Sequence, residues 1–421
     1  MSNYTKPRGT VDLYNEAMNE FKSLENFLLT TTKKYGFQQI KTPIFEFAEL
    51  FMKSAGESSD LVSKEMYLFK DKSDRWLALR PEGTAGVIRA VVENKLLLNN
   101  PLPLKLMYFE PCFRYERPQA GRQRQFHQFG VEVLGTKNIY YDFELIALAN
   151  NILKKLAISD YVLEINYIST AHNRSLWVKS LQEYFNLYRD ELTPLSQERI
   201  TTNPLRILDD KLESQKLVVQ QAPKITNFLS NEEKEEFALI KKMLDEHDIK
   251  YRVNEGLVRG LDYYSGLVFE FISTSPRLLG QSTIIGGGRY GQLIKQTGGP
   301  DYEGIGFGIG IERLLIALLD SNKQILNNFE DKYLIAYFDK ELENEAIKLT
   351  QSLRINNQLN VDIILDTIKA DKIFRLAQRL NAKKLIILAK KEWLNKQVIL
   401  KDLLSFEQKT LNLDEIKKIK E

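Results

Sequence analysis

Strand-like runs stand on both sides of a long helical stretch, and this order restricts the fold more than any other feature of the 421 residues. Extended segments fit Phe37 to Thr42, where Pro43 breaks the run, then Trp76 to Leu79, Leu104 to Tyr115 and Gln125 to Leu134. A helical pattern returns from Asp142 to Leu156, and Ser230 with Glu233 spells a capping box ahead of Phe237, Ile240 and Leu244. Periodicity weakens between Leu192 and Gln221, and no element is assigned there. Near Tyr251 the chain turns β-rich and glycine-rich again, in VNEGLVRGLDYYSGLVFEF and STIIGGGRYGQLI. A sheet that stops, gives way to helices and then continues is read as one domain carrying an insertion. Because few helices separate the early strands, the sheet is expected to be antiparallel, in an α+β fold.

At the N-terminus Leu13, Ala17, Phe21, Leu24 and Leu28 recur at helical spacing, with Gly36 as the stop. After Asp331 strand and helix alternate: YLIAYF, a helix from Glu341 to Leu353, VDIIL, a helix around Lys372 to Leu380, and KLIILA. The expected division is therefore a first domain over residues 1–325, with its helical insertion at about 170–250, and a small α/β domain over 331–421. Hydrophobic residues at 43% and charged residues at 27% allow packed cores and exclude wholesale disorder. The N-terminal stretch has no basic flank and apolar run of a signal peptide, and no segment is long and apolar enough for a membrane span, so no membrane partner and a cytoplasmic location are expected. One cysteine, Cys112, and three histidines, His127, His172 and His247, exclude a disulfide framework and a Cys/His zinc cluster. From Asp331 on, 18 Lys and Arg face 14 Asp and Glu, a small basic surplus that, on charge alone, a solvated lysine-rich face explains better than a nucleic-acid partner does.

Four clusters can carry chemistry. In LRPEGT, Glu82 and Thr84 stand at a turn and could hold an ammonium group, although an ordinary turn with solvated charges accounts for the same residues. In FRYERPQAGRQRQFHQFGVEVLG, Arg114, Arg117, Arg122 and Arg124 alternate with Tyr115, Phe126 and Phe129, which suits phosphates and a stacked base. An exposed arginine-rich hairpin explains those charges, but it leaves Gln128 and Glu132 in a strand otherwise fit for burial, where a carboxylate needs a partner. In GLVRGLDYYSG, Arg259 and Asp262 sit among glycines, and if Tyr263 and Tyr264 belong to a strand they point to opposite faces. In GIGFGIGIERLL, alternate glycines leave one strand face bare for a ligand, and Arg313 opens a helix, where an anion would offset its clash with the helix dipole. The glycine spacing is not that of a dinucleotide-binding loop.

Together and in this order, LRPEGT, FRYERPQ with RQFHQFGVEVLG, LVRGLDYY and GGGRY resemble the histidyl-tRNA synthetases, a family of the class II aminoacyl-tRNA synthetases. The likeness spans nearly the whole chain, and TNPLRILDDK resembles the family's insertion. It implies an antiparallel-sheet class II catalytic domain and a C-terminal α/β anticodon-binding domain. It further implies ligation of L-histidine to tRNA(His) through an adenylate, with ATP as substrate, Mg²⁺ as its companion and no metal ligands of the protein's own. Arg114 would hold the α-phosphate, Arg313 the γ-phosphate and Phe126 the adenine, with Glu116 also at the ATP site. Glu82, Thr84 and Gln128 would bind the α-amino group of histidine, while Glu132, Tyr263 and Tyr264 would line its imidazole pocket. Arg259 would act on the reacting phosphate and the substrate carboxylate. YGFQQIKTPIFEFAELF resembles the first class II motif, which implies a homodimer with Pro43 near its interface. GGGRY continues with Gly291 and Gln292, where the family usually has an aspartate and a glycine. A regulatory relative serving histidine biosynthesis, an inactive RNA-binding module and a synthetase for another small amino acid are the competing readings.

Overall fold

A computed structural model describes residues 4–56, 59, 61–169, 171–208, 210, 212–259, 263–278, 282–320, 331–365 and 370–419. The chain divides into two compact units, 1–325 and 326–421. Asp262, between the glycines of GLVRGLDYYSG, lies outside the described residues.

The first unit opens with the helix Asn15–Lys33, whose Phe21, Leu24 and Leu28 are buried; Gly36, at φ +85°, turns the chain out of it. Up to residue 134 the chain lays down β1 (Gln38–Gln39), β2 (Phe45–Phe47), β3 (Leu68–Lys70), β4 (Trp76–Leu79), β5 (Leu104–Phe113) and β6 (Gln125–Leu134). β7 (Tyr161–Tyr167) and β8 (Arg252–Val253) flank the helical block, and β9 (Leu267–Ser273), β10 (Thr283–Tyr290) and β11 (Gly304–Gly310) follow it. β2, β4 and β3 make a small antiparallel sheet. The others form one sheet in the order β1-β5-β6-β11-β10-β9-β7-β8, antiparallel except for the outer pairs β1 with β5 and β7 with β8. β6 and β11 are neighbours although the helical block separates them in sequence.

β7 was not anticipated. Its YVLEINY is buried on both faces from Leu163 onward, so the alternation that marks a half-exposed strand is missing. β5 ends at Phe113, two residues short of expectation, where Arg114 leaves the sheet. The stretch without periodicity folds as Pro194–Thr202, Leu205–Leu208 and Leu217–Gln220, helices too short to repeat a pattern. Beyond it the helix Asn231–Glu246 carries the expected capping box, Ser230 Oγ accepting from the Glu233 N–H and Glu233 from the Ser230 N–H.

Strand period two divides the central sheet. Phe129, Val131 and Val133 of β6, Phe269 and Phe271 of β9, Ile285 of β10, and Ile305, Phe307 and Ile309 of β11 face the helices in one core. The opposite face carries Gln128, Gly130 and Glu132 of β6, whose register partners in β11 are Gly310, Gly308 and Gly306. The site lies on that second face.

In the second unit β12 (Tyr333–Tyr337), β13 (Val361–Ile363), β14 (Lys384–Leu388), β15 (Gln397–Asp402) and β16 (Gln408–Asn412) form a sheet in the order β13-β12-β14-β15-β16. The first three are parallel, with the helices Glu343–Asn356 and Ala370–Arg379 between them in sequence. β15 and β16 add an antiparallel ribbon; QKTLN of β16 is mostly exposed and gave no apolar signal.

Candidate active site

A cavity and a buried polar cluster beside it use the glycine-bearing face. One is an open cavity lined by Arg114, Glu116, Phe126, Gln128, Arg259 and Arg313, together with Arg122, Thr283 and Glu312. Arg114 stacks over Phe126, with the guanidinium 5.3 Å from the ring centroid, and donates through Nε to the Pro81 carbonyl at 2.9 Å. Glu116 receives Arg122 in an ion pair. Arg313 donates to the carbonyls of Gly121 at 3.0 Å and Thr283 at 2.9 Å. Burial, reinforced by Arg114 and Arg122, lowers the Arg313 pKa to about 10. Guanidinium groups that repel one another in a shared cavity form an anion site, and Phe126 supplies a flat apolar surface beside it.

The other is a buried polar cluster around Glu132, Thr84 and Tyr290, next to the cavity through Gln128, which lines it. Glu132 accepts from the Thr84 hydroxyl at 2.8 Å and from the Tyr290 hydroxyl at 2.6 Å. Desolvation pushes its pKa up to about 8, against the pull of those two bonds. Gln128 Oε1 accepts from the Gly83 N–H at 3.0 Å, which ties the cavity to the LRPEGT turn. Glu82 accepts the Thr84 and Ala85 N–H groups at 2.7 and 2.8 Å, so its carboxylate caps the helix Thr84–Glu93 from within the protein; burial raises its pKa. Gly306 is what gives Glu132 room: a Cβ there would collide with the carboxylate. At Gly286 a Cβ would come within 2.5 Å of the Arg259 guanidinium.

The tyrosines correct one expectation. Tyr263 and Tyr264 precede β9 in a turn, not in a strand, so they do not alternate. Both are buried, with ring centroids 4.6 Å apart, and Tyr263 meets Tyr290 edge-on at 5.7 Å. Both rings therefore pack on the same side, beside Tyr290 and the Glu132 cluster. Arg80, the arginine of LRPEGT, is buried in an ion pair with Glu110 and donates to the Pro111 carbonyl at 2.7 Å, a structural role.

Three participants were not singled out from sequence: Tyr290, Thr283 and Glu270. Tyr290 lies inside GGGRY, and its hydrogen bond to Glu132 emerges only from the folded sheet that brings the two together. Glu270, in the apolar run VFEFIS, carries the same signal that marked Glu132, a carboxylate in a strand built for burial.

The family model described as Histidyl-tRNA synthetase matches residues 9–314. The chain belongs to the histidyl-tRNA synthetase family. It is 86% identical over 420 residues to a histidine--tRNA ligase of Ureaplasma parvum serovar 3, covering 100% of both chains, and 49% identical over 417 residues to that of Malacoplasma penetrans, covering 99% and 98%. Its structure resembles that of the apo S. aureus histidyl-tRNA synthetase with a TM-score of 0.83 at 34% identity, over 99% of each chain. The antiparallel sheet, the helical block within it and the following α/β unit are the class II architecture that the family uses.

Proposed function

We propose that the chain ligates L-histidine to tRNA(His) in two steps: the histidine carboxylate attacks the α-phosphate of ATP, releasing pyrophosphate, and a terminal ribose hydroxyl of the tRNA then displaces AMP. Membership of the family supports the reaction. The observation that carries the substrate is the buried Glu132 with its Thr84 and Tyr290 hydroxyls, set on the same sheet face as the arginine-lined cavity. A polar cluster of this kind favours a ring N–H, which can use the acceptor capacity Glu132 keeps beyond its two hydroxyl partners, over an apolar side chain, which cannot.

In this reading Glu132, Tyr263 and Tyr264 receive the imidazole, and Glu82, Thr84 and Gln128 the α-amino group. Phe126 stacks on adenine, Arg114 takes the α-phosphate and Arg313 the γ-phosphate, with Glu116 at the rim. Arg259 meets charge developing at the α-phosphate, and its buried Nε has no acceptor among the described residues. Among the described residues no group of three or more His, Cys, Asp or Glu side chains is arranged to hold a metal ion. The residues present suit Mg²⁺ carried by the triphosphate, which needs few protein carboxylates; Glu116 and Glu312 line the cavity. When bound, Mg²⁺ neutralises phosphate charge.

The exposed apolar face of the small sheet supports a homodimer. Phe45, Phe47 and Phe69 are 52%, 51% and 39% exposed, beyond Pro43, and the Phe45 and Phe69 rings lie 6.3 Å apart. The second unit, with its basic surplus, is assigned to the anticodon. No helix among the described residues is long and apolar enough to cross a membrane, and the assigned setting is the cytoplasm.

Exchange of labelled pyrophosphate into ATP, run with each of the twenty amino acids, tests the reaction. Histidine alone should support it. A folded chain that exchanges with none would be a regulatory relative instead.

A further inference from the structure

We infer that Glu270 is a positioning residue for Arg259, an inference that rests on the reading of Arg259 given above. Arg259 lies outside any strand or helix, so its backbone is not fixed by a ladder of hydrogen bonds. Its guanidinium is held by side chains instead. One terminal nitrogen forms an ion pair with Glu270 Oε1, the Tyr264 ring lies 5.4 Å away, and the missing side chain of Gly286 leaves the space it occupies. Gly286 is the register partner of Glu270 across β9 and β10, so carboxylate and open space sit side by side. The other oxygen of Glu270 accepts the Thr283 hydroxyl at 2.8 Å.

Thr283 makes the arrangement more than a local ion pair. Its carbonyl accepts from Arg313 at 2.9 Å while its hydroxyl fixes Glu270. Through that one residue the two arginines assigned to opposite parts of the triphosphate are indexed to each other. Glu270 itself stands behind Arg259. It lines a second cavity, with Glu164, Trp177 and Asn254, whereas Arg259, Thr283 and Arg313 line the arginine cavity. Glu270 therefore reaches the reacting atoms only through Arg259, and a misplaced guanidinium forfeits the alignment on which transfer depends.

Pyrophosphate exchange in a double-mutant cycle tests this. Glu270→Ala should lower kcat roughly 10- to 100-fold with KM for ATP and histidine within about threefold of the parent. Glu270→Gln, which keeps an acceptor for Arg259, should recover most of that loss. In an Arg259→Ala background Glu270→Ala should cause no further loss. Thr283→Val, which spares the ion pair and removes the hydroxyl behind it, should lower kcat several-fold at unchanged melting temperature, and it decides the matter if Glu270→Ala does not fold. Parental kcat in Thr283→Val or in folded Glu270→Ala overturns the inference. So does a Glu270 effect that persists without Arg259, which would mean direct action on the nucleotide or its cation. Full activity in Arg259→Ala would instead remove Arg259 from the mechanism, a separate failure.

Discussion

At Glu132 the needs of the folded chain and of its substrate oppose each other. The carboxyl is fully buried, and its pKa rises from 4.5 to about 8 through desolvation. A group whose folded pKa is raised favours folding only while protonated, so stability is lost as pH climbs from about 4.5 through 8. Glu132→Gln should therefore melt with the parent near pH 4.5, then gain stability with rising pH, by on the order of 2–4 kcal/mol above pH 8. The same variant should bind histidine poorly. Thermal melts across that pH range check the sign, and a constant difference would mean that Glu132 is ionised throughout. Gly306→Ala tests the opposite wall: a methyl group there should abolish histidine binding and lower stability by about 1–3 kcal/mol, read by titration and melting. Residue chemistry of this kind was legible in part. The unpaired carboxylate in FGVEVLG announced itself in sequence, but its partners did not, because Tyr290 lies 158 positions away and only the folded sheet brings it near.

Elements differ in how plainly the sequence states them. β4 and β6 occupy the expected residues, and the capping box at Ser230 forms as read. β7 escaped because a strand buried on both faces lacks alternation, and β16 because an exposed polar edge strand has no apolar pattern. Glu233 shows what the box adds beyond its own helix: it also accepts from the Ser169 hydroxyl at 2.6 Å and from Asn173 at 3.0 Å, fastening the helical block to the end of β7. Ser230→Ala should cost about 1 kcal/mol, seen as faster amide exchange in Asn231–Glu246 before the rest of the unit. On the small sheet, sedimentation tests the proposed homodimer: the parent should run as a dimer and Phe69→Glu as a monomer, while a monomeric parent would refute the dimer and a dimeric Phe69→Glu would place the interface elsewhere.

At the scale of the whole molecule, all the residues assigned to adenylation fall in the first unit, while the basic surplus falls in the second. Ending the chain before Asp331 should leave histidine-dependent exchange within a few-fold of the parent and lower aminoacylation by roughly 10²–10⁴, the contribution expected of a second tethered binding module. Equal losses in both assays would make the second unit a support for folding. The order of the strands also has a consequence in time. β6 is complete at residue 134, but β11, its neighbour in the sheet, begins only at residue 304. At about 5–20 residues per second of synthesis, an apolar strand edge waits on the ribosome for roughly ten seconds or more before its partner emerges. Over that interval the nascent chain depends on whatever shields the edge from other chains, and the catalytic pocket cannot exist.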